Sequence, residues 1–508
     1  MGKSKNNLVI RIRKITLTNF RNIEYAEVDI PSGKISELIN GNPSILGIYG
    51  QNGSGKTSLL YALKALKAAL SGYYLLSSEF ASCIKEGCNF ARLEFEFSAY
   101  NKSGKEFNIF YSFSLTAKSS DTSTGIDTSE IYESLSQVGY GNYVSDDYIN
   151  QLSSYLRPSF EITDELLQYA SKTKNGKSNK QVLIDTSKKA CDISGKTFGN
   201  KSRYRQLTMK GKKDIDEFLY RNKIEASIKA TSFIFAPAVI DALVSASQLA
   251  EHKNILESLR EYGKYYLFIF MTQETSRTDI IPLACWEQYS DETAFGIVLP
   301  LIRFNHCKID ETYYALVEET VRSINIVIPK IVPGLSIEIN DIGKALEKNG
   351  IEFHLFDFIS VRNGVRIPFS YESDGIRRLI CFMSLLIAVY NNPSVTVAID
   401  EFDSGIFEYM LGEIISIMKG SAHGQLIFTS HNLRPLEKIL QNKDLIFTTI
   451  NPQNRFSKLV DISGNNNLRD SYLRYVTLDN DRKKAFYDST DSFEIEKALF
   501  EAGLPKEN

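Results

Sequence analysis

Gly50-Gln51-Asn52-Gly53-Ser54-Gly55-Lys56-Thr57 leaves this chain few folds to choose from. The spacing G-x-x-x-x-G-K-[ST] requires a strand that stops abruptly, a glycine-rich turn and a helix starting near the lysine. The flanks supply both neighbours. Ile45-Leu46-Gly47-Ile48-Tyr49 is a short apolar run that reads as a buried strand, and Leu59, Leu63, Leu66 and Leu70 recur at helical spacing. In such a turn the glycines let backbone N–H groups point inward at phosphate oxygens, and the helix dipole favours the anion. Gly50, Asn52, Gly53, Ser54, Gly55 and Ser58 are assigned to this cradle. Lys56 is placed to reach β- and γ-phosphates, and Thr57 to hold Mg²⁺.

The remaining composition narrows the class without naming a partner. A chain of 508 residues, 43% hydrophobic, has room for two or more domains and a large core. A formal charge of −2 argues against wholesale binding to nucleic acid, so any basic surface must be local. Six cysteines lie scattered, with only Cys83 and Cys88 close together. No second pair or nearby histidine completes a metal set, which favours buried reduced thiols. Met1-Gly2-Lys3-Ser4-Lys5 is basic, but no long apolar core follows it. No run of about 18 apolar residues occurs, so neither a signal peptide nor a membrane span is expected, and the cytoplasm is the expected compartment.

Leu8–Leu17 and Glu24–Ile30 alternate as strands on either side of the turn Asn19-Phe20-Arg21-Asn22-Ile23. Ala91–Phe97 and Phe107–Leu115 read as an antiparallel hairpin around Asn101-Lys102-Ser103-Gly104. Residues 117–150 are rich in Ser, Thr, Asp, Gly and Tyr and read as a loop or insertion. From 171 to 213 there are 13 Lys or Arg against two Asp, around a strand-like Val182-Leu183-Ile184. That stretch is either a solvated edge of the β layer or a nucleic-acid contact led by Arg203, Tyr204 and Arg205. Residues 214–275 read as helical, as do 309–326; Pro329, Pro333 and Gly334 are expected to break the chain before strands at 335–339 and 351–358. No heptad seam is sustained, so no long coiled coil is expected.

A second cluster follows. Ser373-Asp374-Gly375-Ile376-Arg377-Arg378 opens an apolar helix with a good N-cap, and an open helix N-terminus also attracts anions. Val395–Ile399 is an apolar strand ending in Asp400-Glu401. Beside a phosphate loop, the first acid suits the Mg²⁺ shell and the second suits the attacking water. Asp403-Ser404-Gly405 is a turn, Gln425–Thr429 another strand, and Ser430-His431-Asn432 follows it. His431 is either a capped loop residue or a γ-phosphate sensor. Leu445–Ile450 supplies one more strand.

In this order the elements resemble the ABC-type ATPase heads of the RecF, SMC and OLD group. Asn19-Phe20-Arg21-Asn22 resembles the group's N-terminal turn, which implies that Arg21 and Asn22 lie near the nucleotide. Gly50–Thr57 matches Walker A, and Ser373-Asp374-Gly375 stands in the place of the signature. Asp400 and Glu401 match Walker B, Asp403 the D-loop, and His431 the switch histidine. Residue 374 is Asp where many relatives carry Gly. The resemblance covers 8–116 and 335–465 and implies an α/β fold: a P-loop head with a mixed sheet and an antiparallel β layer, carrying a mainly helical insertion. The divisions it implies are 1–116, an insertion at 117–330, 331–465 and a helical tail at 466–508.

The resemblance also implies an ATP-hydrolysing site shared by two copies, with Glu401, Lys56 and His431 from one and Ser373 from the other. ATP and Mg²⁺ are the expected cofactors. Without coiled-coil arms, and with 77 residues after His431, neither an SMC-like arm nor a fused nuclease is expected. A stand-alone head resembles the ATPase subunits of antiphage defence systems of the Septu and PARIS types. That implies a separately encoded effector, such as a nuclease, as partner. The alternative is a RecF-like ATPase that clamps duplex DNA, supported by the basic stretch at 171–213. A scaffold that binds ATP without turnover is disfavoured by the intact Glu401. The tail, around Asn467–Asp470 and Phe493–Phe500, is either a packing helix or a docking element.

Overall fold

Alternation in the first part of the chain becomes one antiparallel layer. The computed structural model describes residues 8–31, 43–75, 80, 82–101, 105–118, 160–171, 180–186, 212–246, 250–272, 280–290, 293–302, 306–346, 352–438, 442–458, 468–477 and 492–502. Strands β1 (Val9–Phe20), β2 (Ile23–Asp29), β4 (Phe90–Tyr100), β5 (Glu106–Ala117), β6 (Phe160–Ser171) and β7 (Lys180–Asp185) form it in the order β2-β1-β4-β5-β6-β7. Ile15, Leu17, Phe95, Phe97, Ile109 and Phe113 are fully buried and share one core with helix α1 (Lys56–Ser71). Period-two burial on this scale is what holds six strands in register.

The second sheet carries the site. It runs β18-β17-β3-β16-β15-β8, from β3 (Ser44–Tyr49), β8 (Leu267–Phe270), β15 (Thr396–Ile399), β16 (Gln425–Ser430), β17 (Leu445–Thr448) and β18 (Phe456–Ser457). All neighbours are parallel except β17 and β18. Parallel strands buried on both faces read as continuous apolar runs, and β3 and β16 are buried throughout. Their C-terminal ends lie together, where open α/β sheets bind ligands. Arg11, fully buried in β1, donates to the carbonyls of Pro393 and His423. Gln425 exchanges both amide bonds with the backbone of Ile12, so the two sheets are tied directly.

A third sheet packs behind α6 (Asp374–Asn391). Strand β13 (Glu352–Arg362) pairs with β11 (Cys307–Asp310), β12 (Leu335–Leu346) and β14 (Val365–Pro368). Beside it lie the hairpin β9 (Ile280–Ser290) and β10 (Thr293–Ile302) and helix α5 (Glu311–Ile331). Helices α2 (Lys212–Lys229), α3 (Pro237–Ala246) and α4 (Ala250–Glu261) pack on the first layer. Helices α7 (Glu408–Ser421), α8 (Arg434–Lys438), α9 (Leu468–Thr477) and α10 (Ser492–Ala502) complete the described chain.

Several expectations are corrected. The helical reading of 214–275 ends early: α4 runs into a π-turn at Tyr262–Tyr266, and Leu267–Phe270 is the edge strand of the central sheet, paired with β15. Four apolar residues carry no periodicity that separates strand from helix. Pro329 does not break its helix; Val332 N–H still donates to Ile328 O. A proline near a helix end removes only one hydrogen bond. The span 117–330 carries the helices α2, α3, α4 and most of α5, and its strands are built into the rest of the fold: β6 and β7 join the first sheet, β8 the second, and β9–β10 form a hairpin. Residues 119–159 and 187–211, with Arg203, Tyr204 and Arg205, lie outside the described residues.

Candidate functional site

The phosphate loop is tied down from three sides. Lys56 Nζ donates to the carbonyls of Gly50 (2.7 Å) and Gln51 (2.9 Å). Ser54 Oγ donates to Gln51 O at 2.5 Å and also meets Thr448 Oγ1 at the end of β17. Gly55 precedes α1 in the left-handed region, φ 103°, and no side chain caps the helix. Ser58 N–H donates to Gly55 O at 3.0 Å, and the N–H groups before it face the cradle, where an anion is favoured. Asn52 and Gly53 are exposed at the rim, while Lys56 and Ser58 are buried.

The β1–β2 turn reaches this loop. Asn19 and Arg21 adopt left-handed φ values of 53° and 54°. Asn22 Nδ2 donates to Gly53 O at 2.8 Å, and its Oδ1 accepts from Ser58 Oγ at 3.0 Å. The Arg21 guanidinium lies 4.1 Å from the centre of the Tyr61 ring on α1. Arg455 Nε holds the turn's other side through Asn22 O at 3.0 Å.

The acids come from β15. Asp400 Oδ1 lies 3.4 Å from Thr57 Oγ1 and accepts from Thr429 Oγ1 at 2.7 Å. Burial raises the Asp400 carboxyl above its ordinary value; the Thr429 bond opposes this and the Glu401 charge adds to it. Glu401 stands at φ 47°, a costly position for a residue with a Cβ. Three contacts hold it there: its N–H donates to Thr429 Oγ1 at 2.7 Å, and its carbonyl accepts from Arg378 of α6 at 3.1 Å and from Ser404 N–H at 2.9 Å. Asp403 Oδ2 accepts from the backbone N–H groups of His431 (3.0 Å) and Asn432 (2.9 Å), which aligns the two turns. Burial, then the Lys56 charge, lowers the His431 imidazole below its usual range, so the neutral ring dominates at pH 7. Burial also draws Lys56 down to about 8, against the pull of Asp400, Glu401 and Asp403.

The structure therefore brings together Arg21, Asn22, the loop from Gly50 to Ser58, Asp400, Glu401 and His431. Ser373 and Gly375 are placed elsewhere. Ser373 caps α6, its Oγ accepting from Ile376 N–H at 3.4 Å, and with Asp374 it is exposed. Neither Ser373 nor Gly375 bonds the phosphate loop among the described residues. Gly375 instead abuts the turn after β15: a Cβ there would lie 1.9 Å from Gly405 O. Thr429 and Arg378, which fix the Glu401 backbone, are not singled out by sequence reasoning. Their signals are a hydroxyl ending a buried apolar strand and a charge inside an apolar helix.

A glycine cradle opening α1 and an acid pair ending a parallel strand of the same sheet, two places from β3, define a P-loop ATPase. Residues 11–434 match the family model described as AAA ATPase domain, and the chain belongs to that family. It binds and hydrolyses ATP. Among solved structures it is similar to the Smc head bound to the C-winged helix domain of ScpA, at 12% identity and TM-score 0.34, covering 89% of this chain and 98% of that one. It is also similar to the recombination mediator RecF of the RecFOR pathway, at 11% identity and TM-score 0.34 over 89% and 98%. The SMC head domain from Thermotoga maritima follows at 12% identity and TM-score 0.30 over 89% and 99%. No curated protein shows a significant match.

Proposed function

We propose that this chain turns over ATP as a head-to-tail pair, with the triphosphate held between the phosphate loop of one copy and the Ser373 helix of the other. The observation that carries this reading is the placement of Ser373: an exposed serine that caps the N-terminus of α6 and, among the described residues, makes no bond to its own phosphate loop. Lys56 would bind the β- and γ-phosphates, Glu401 would take a proton from the attacking water, and neutral His431 would hydrogen-bond the γ-phosphate. Thr57 and Asp400, hard oxygen donors 3.4 Å apart, suit Mg²⁺, which is commonly held by one or two protein groups plus phosphates. When bound, that ion neutralises charge on the phosphates. Tyr371, 80% exposed, and Phe407, 70% exposed, flank Ser373 and Gly405 and would be covered by the second copy.

The test is Ser373→Arg. It should abolish turnover while ATP binding stays within about twofold, because the arginine obstructs only the partner's site. Equal loss of both would remove the shared site from consideration. Glu401→Gln should trap an ATP-bound dimer visible by light scattering; normal turnover would end its assignment as base.

The same reading extends to biology. The pair is an ATPase subunit of a prokaryotic antiphage defence complex, in the cytoplasm, and closure of the heads controls a separately encoded effector, a nuclease. Support comes from the motif resemblance and from α10, whose Leu499 and Phe500 are 72% and 71% exposed and form a candidate docking element. No described helix is long and apolar enough to cross a membrane. Co-purification from the native operon and phage plating with Glu401→Gln test it; an unaccompanied chain that confers no protection refutes it. A RecF-like clamp on duplex DNA is the second reading, favoured by the 13 Lys or Arg between 171 and 213. ATP-dependent DNA binding that weakens steeply with salt would replace the first reading with this one.

A further inference from the structure

Glu372 directly precedes the exposed serine and is itself buried. Its Oε1 accepts from Ser360 Oγ at 2.6 Å, and its Oε2 accepts from the backbone N–H of Ser373 at 3.3 Å. Arg362 NH2 stands 3.6 Å from the same carboxylate. Ser360 and Arg362 both belong to β13, and Ser360 is fully buried between Ile337 of β12 and Ile367 of β14. One carboxylate thus joins the middle strand of the third sheet to the residue that caps α6. No step of the hydrolysis described above uses it.

A buried carboxylate is costly unless it is bonded and paired. Here a hydroxyl, an amide and a guanidinium face it. The amide belongs to the exposed serine that caps α6, so the carboxylate fixes that residue's backbone from behind. Arg377 reinforces the same entry, donating to Ser370 O at 3.1 Å and pairing with Asp374. The helix holds the serine from one side only, through its carbonyl, which accepts from Arg377 N–H at 3.0 Å, and its Oγ, which accepts from Ile376 N–H at 3.4 Å; the carboxylate holds its amide from the other.

We infer that Glu372 is a positioning residue for ATP turnover: it sets the Ser373 backbone, and with it the reach of the Ser373 hydroxyl, relative to β13. The inference rests on the shared-site reading. It also makes β12–β13–β14 the element through which an event on that sheet would reach the partner's triphosphate.

The experiment compares Glu372→Ala, Glu372→Gln and Ser360→Ala with the parent and with Ser373→Arg. Steady-state phosphate release is measured at protein concentrations where specific activity no longer rises, alongside equilibrium binding of a non-hydrolysable ATP analogue and thermal melting. Glu372→Ala should lower kcat by about ten- to a hundredfold, the scale of a misplaced catalytic contact, with analogue affinity within about twofold. Glu372→Gln, which keeps an acceptor and the packing, should recover most of the rate. The double variant with Ser360→Ala should lose less than the product of the single losses, because both act through one contact. Should Glu372→Ala not fold, Ser360→Ala carries the test with the same expected direction. Parent-like kcat in Glu372→Ala, or in Ser360→Ala as its substitute, would overturn the inference while leaving the shared site standing. So would a loss of analogue binding that matches the loss of kcat. Full activity of Ser373→Arg would instead overturn the shared site itself.

Discussion

Gly375→Ala tests whether the serine helix and the acidic turn form one rigid body. An added Cβ would sit 1.9 Å from Gly405 O and 2.7 Å from its carbonyl carbon. These are backbone atoms and cannot swing aside as a side-chain tip would, so the two segments must part by about 1 Å before the contact is tolerable. Two energetic effects oppose each other. Alanine favours a helix by up to about 1 kcal/mol over glycine, whereas overpacking costs about 1–3 kcal/mol. The net loss of stability should therefore be about 0–3 kcal/mol, a shift of a few degrees in Tm for a chain of this size. Turnover should suffer far more, because a displacement of about 1 Å at a reacting centre can cost a hundredfold. Gly420→Ala on α7 is the control: nothing lies within 4 Å of its Cβ, so it should be neutral or slightly stabilising. Phosphate release, analogue binding and thermal melting on both variants decide the matter. If Gly375→Ala turned over ATP at the rate of Gly420→Ala, the two segments would not act as one body.

Thr429→Val removes the acceptor of the Glu401 N–H and a donor to Asp400; phosphate release should fall at least about tenfold and stability by about 1–3 kcal/mol, with Thr429→Ser restoring both. Because burial holds Lys56 at about 8 and a triphosphate favours its charged form, ATP binding should take up a proton above that pH. Affinity measured by titration calorimetry should then fall by up to about tenfold per pH unit above 8, and a flat profile to pH 9.5 would exclude Lys56 as a charged ligand. His354 lies between Glu311 Oε2 (2.9 Å) and Asp341 Oδ1 (2.8 Å), with Tyr314 stacked on the ring and Lys344 paired to Glu311. Burial lowers its pKa, but the two carboxylate bonds outweigh burial and raise it above 6.5, so the stability it contributes is complete below that value and is lost as pH rises through the folded pKa. Melting temperature should therefore decline less from pH 6 to 9 in His354→Gln than in the parent.

How much of this was legible depends on whether each determinant is local in sequence. The strand, loop and helix around Lys56 occupy one continuous stretch, and the acid pair follows directly from the run Val395–Ile399, so both can be read residue by residue. Strand β8 has no such signature: Leu267–Phe270 is a strand only because β15, about 130 residues later, offers an edge to pair with. The π-turn before it blurs the boundary further, since Tyr262 still falls on the apolar face of the preceding helix. The same limit applies inside the site. The backbone of Glu401 at φ 47° depends on Thr429 and Arg378, which come from two other elements.

Ser373 is the extreme case. Its local role, an N-cap to α6, is legible and present, and it would look complete if the helix were the whole story. Yet a cap needs neither a glycine two residues on, pressed against Gly405, nor a buried glutamate one residue before, bonded to β13. Serine, aspartate and asparagine cap helices about equally well without either. Both features constrain where the serine sits in space, not whether the helix starts. A position constrained beyond what its own fold requires fits the proposed shared site, in which the counterpart of the Ser373 cap would be the triphosphate of a second copy.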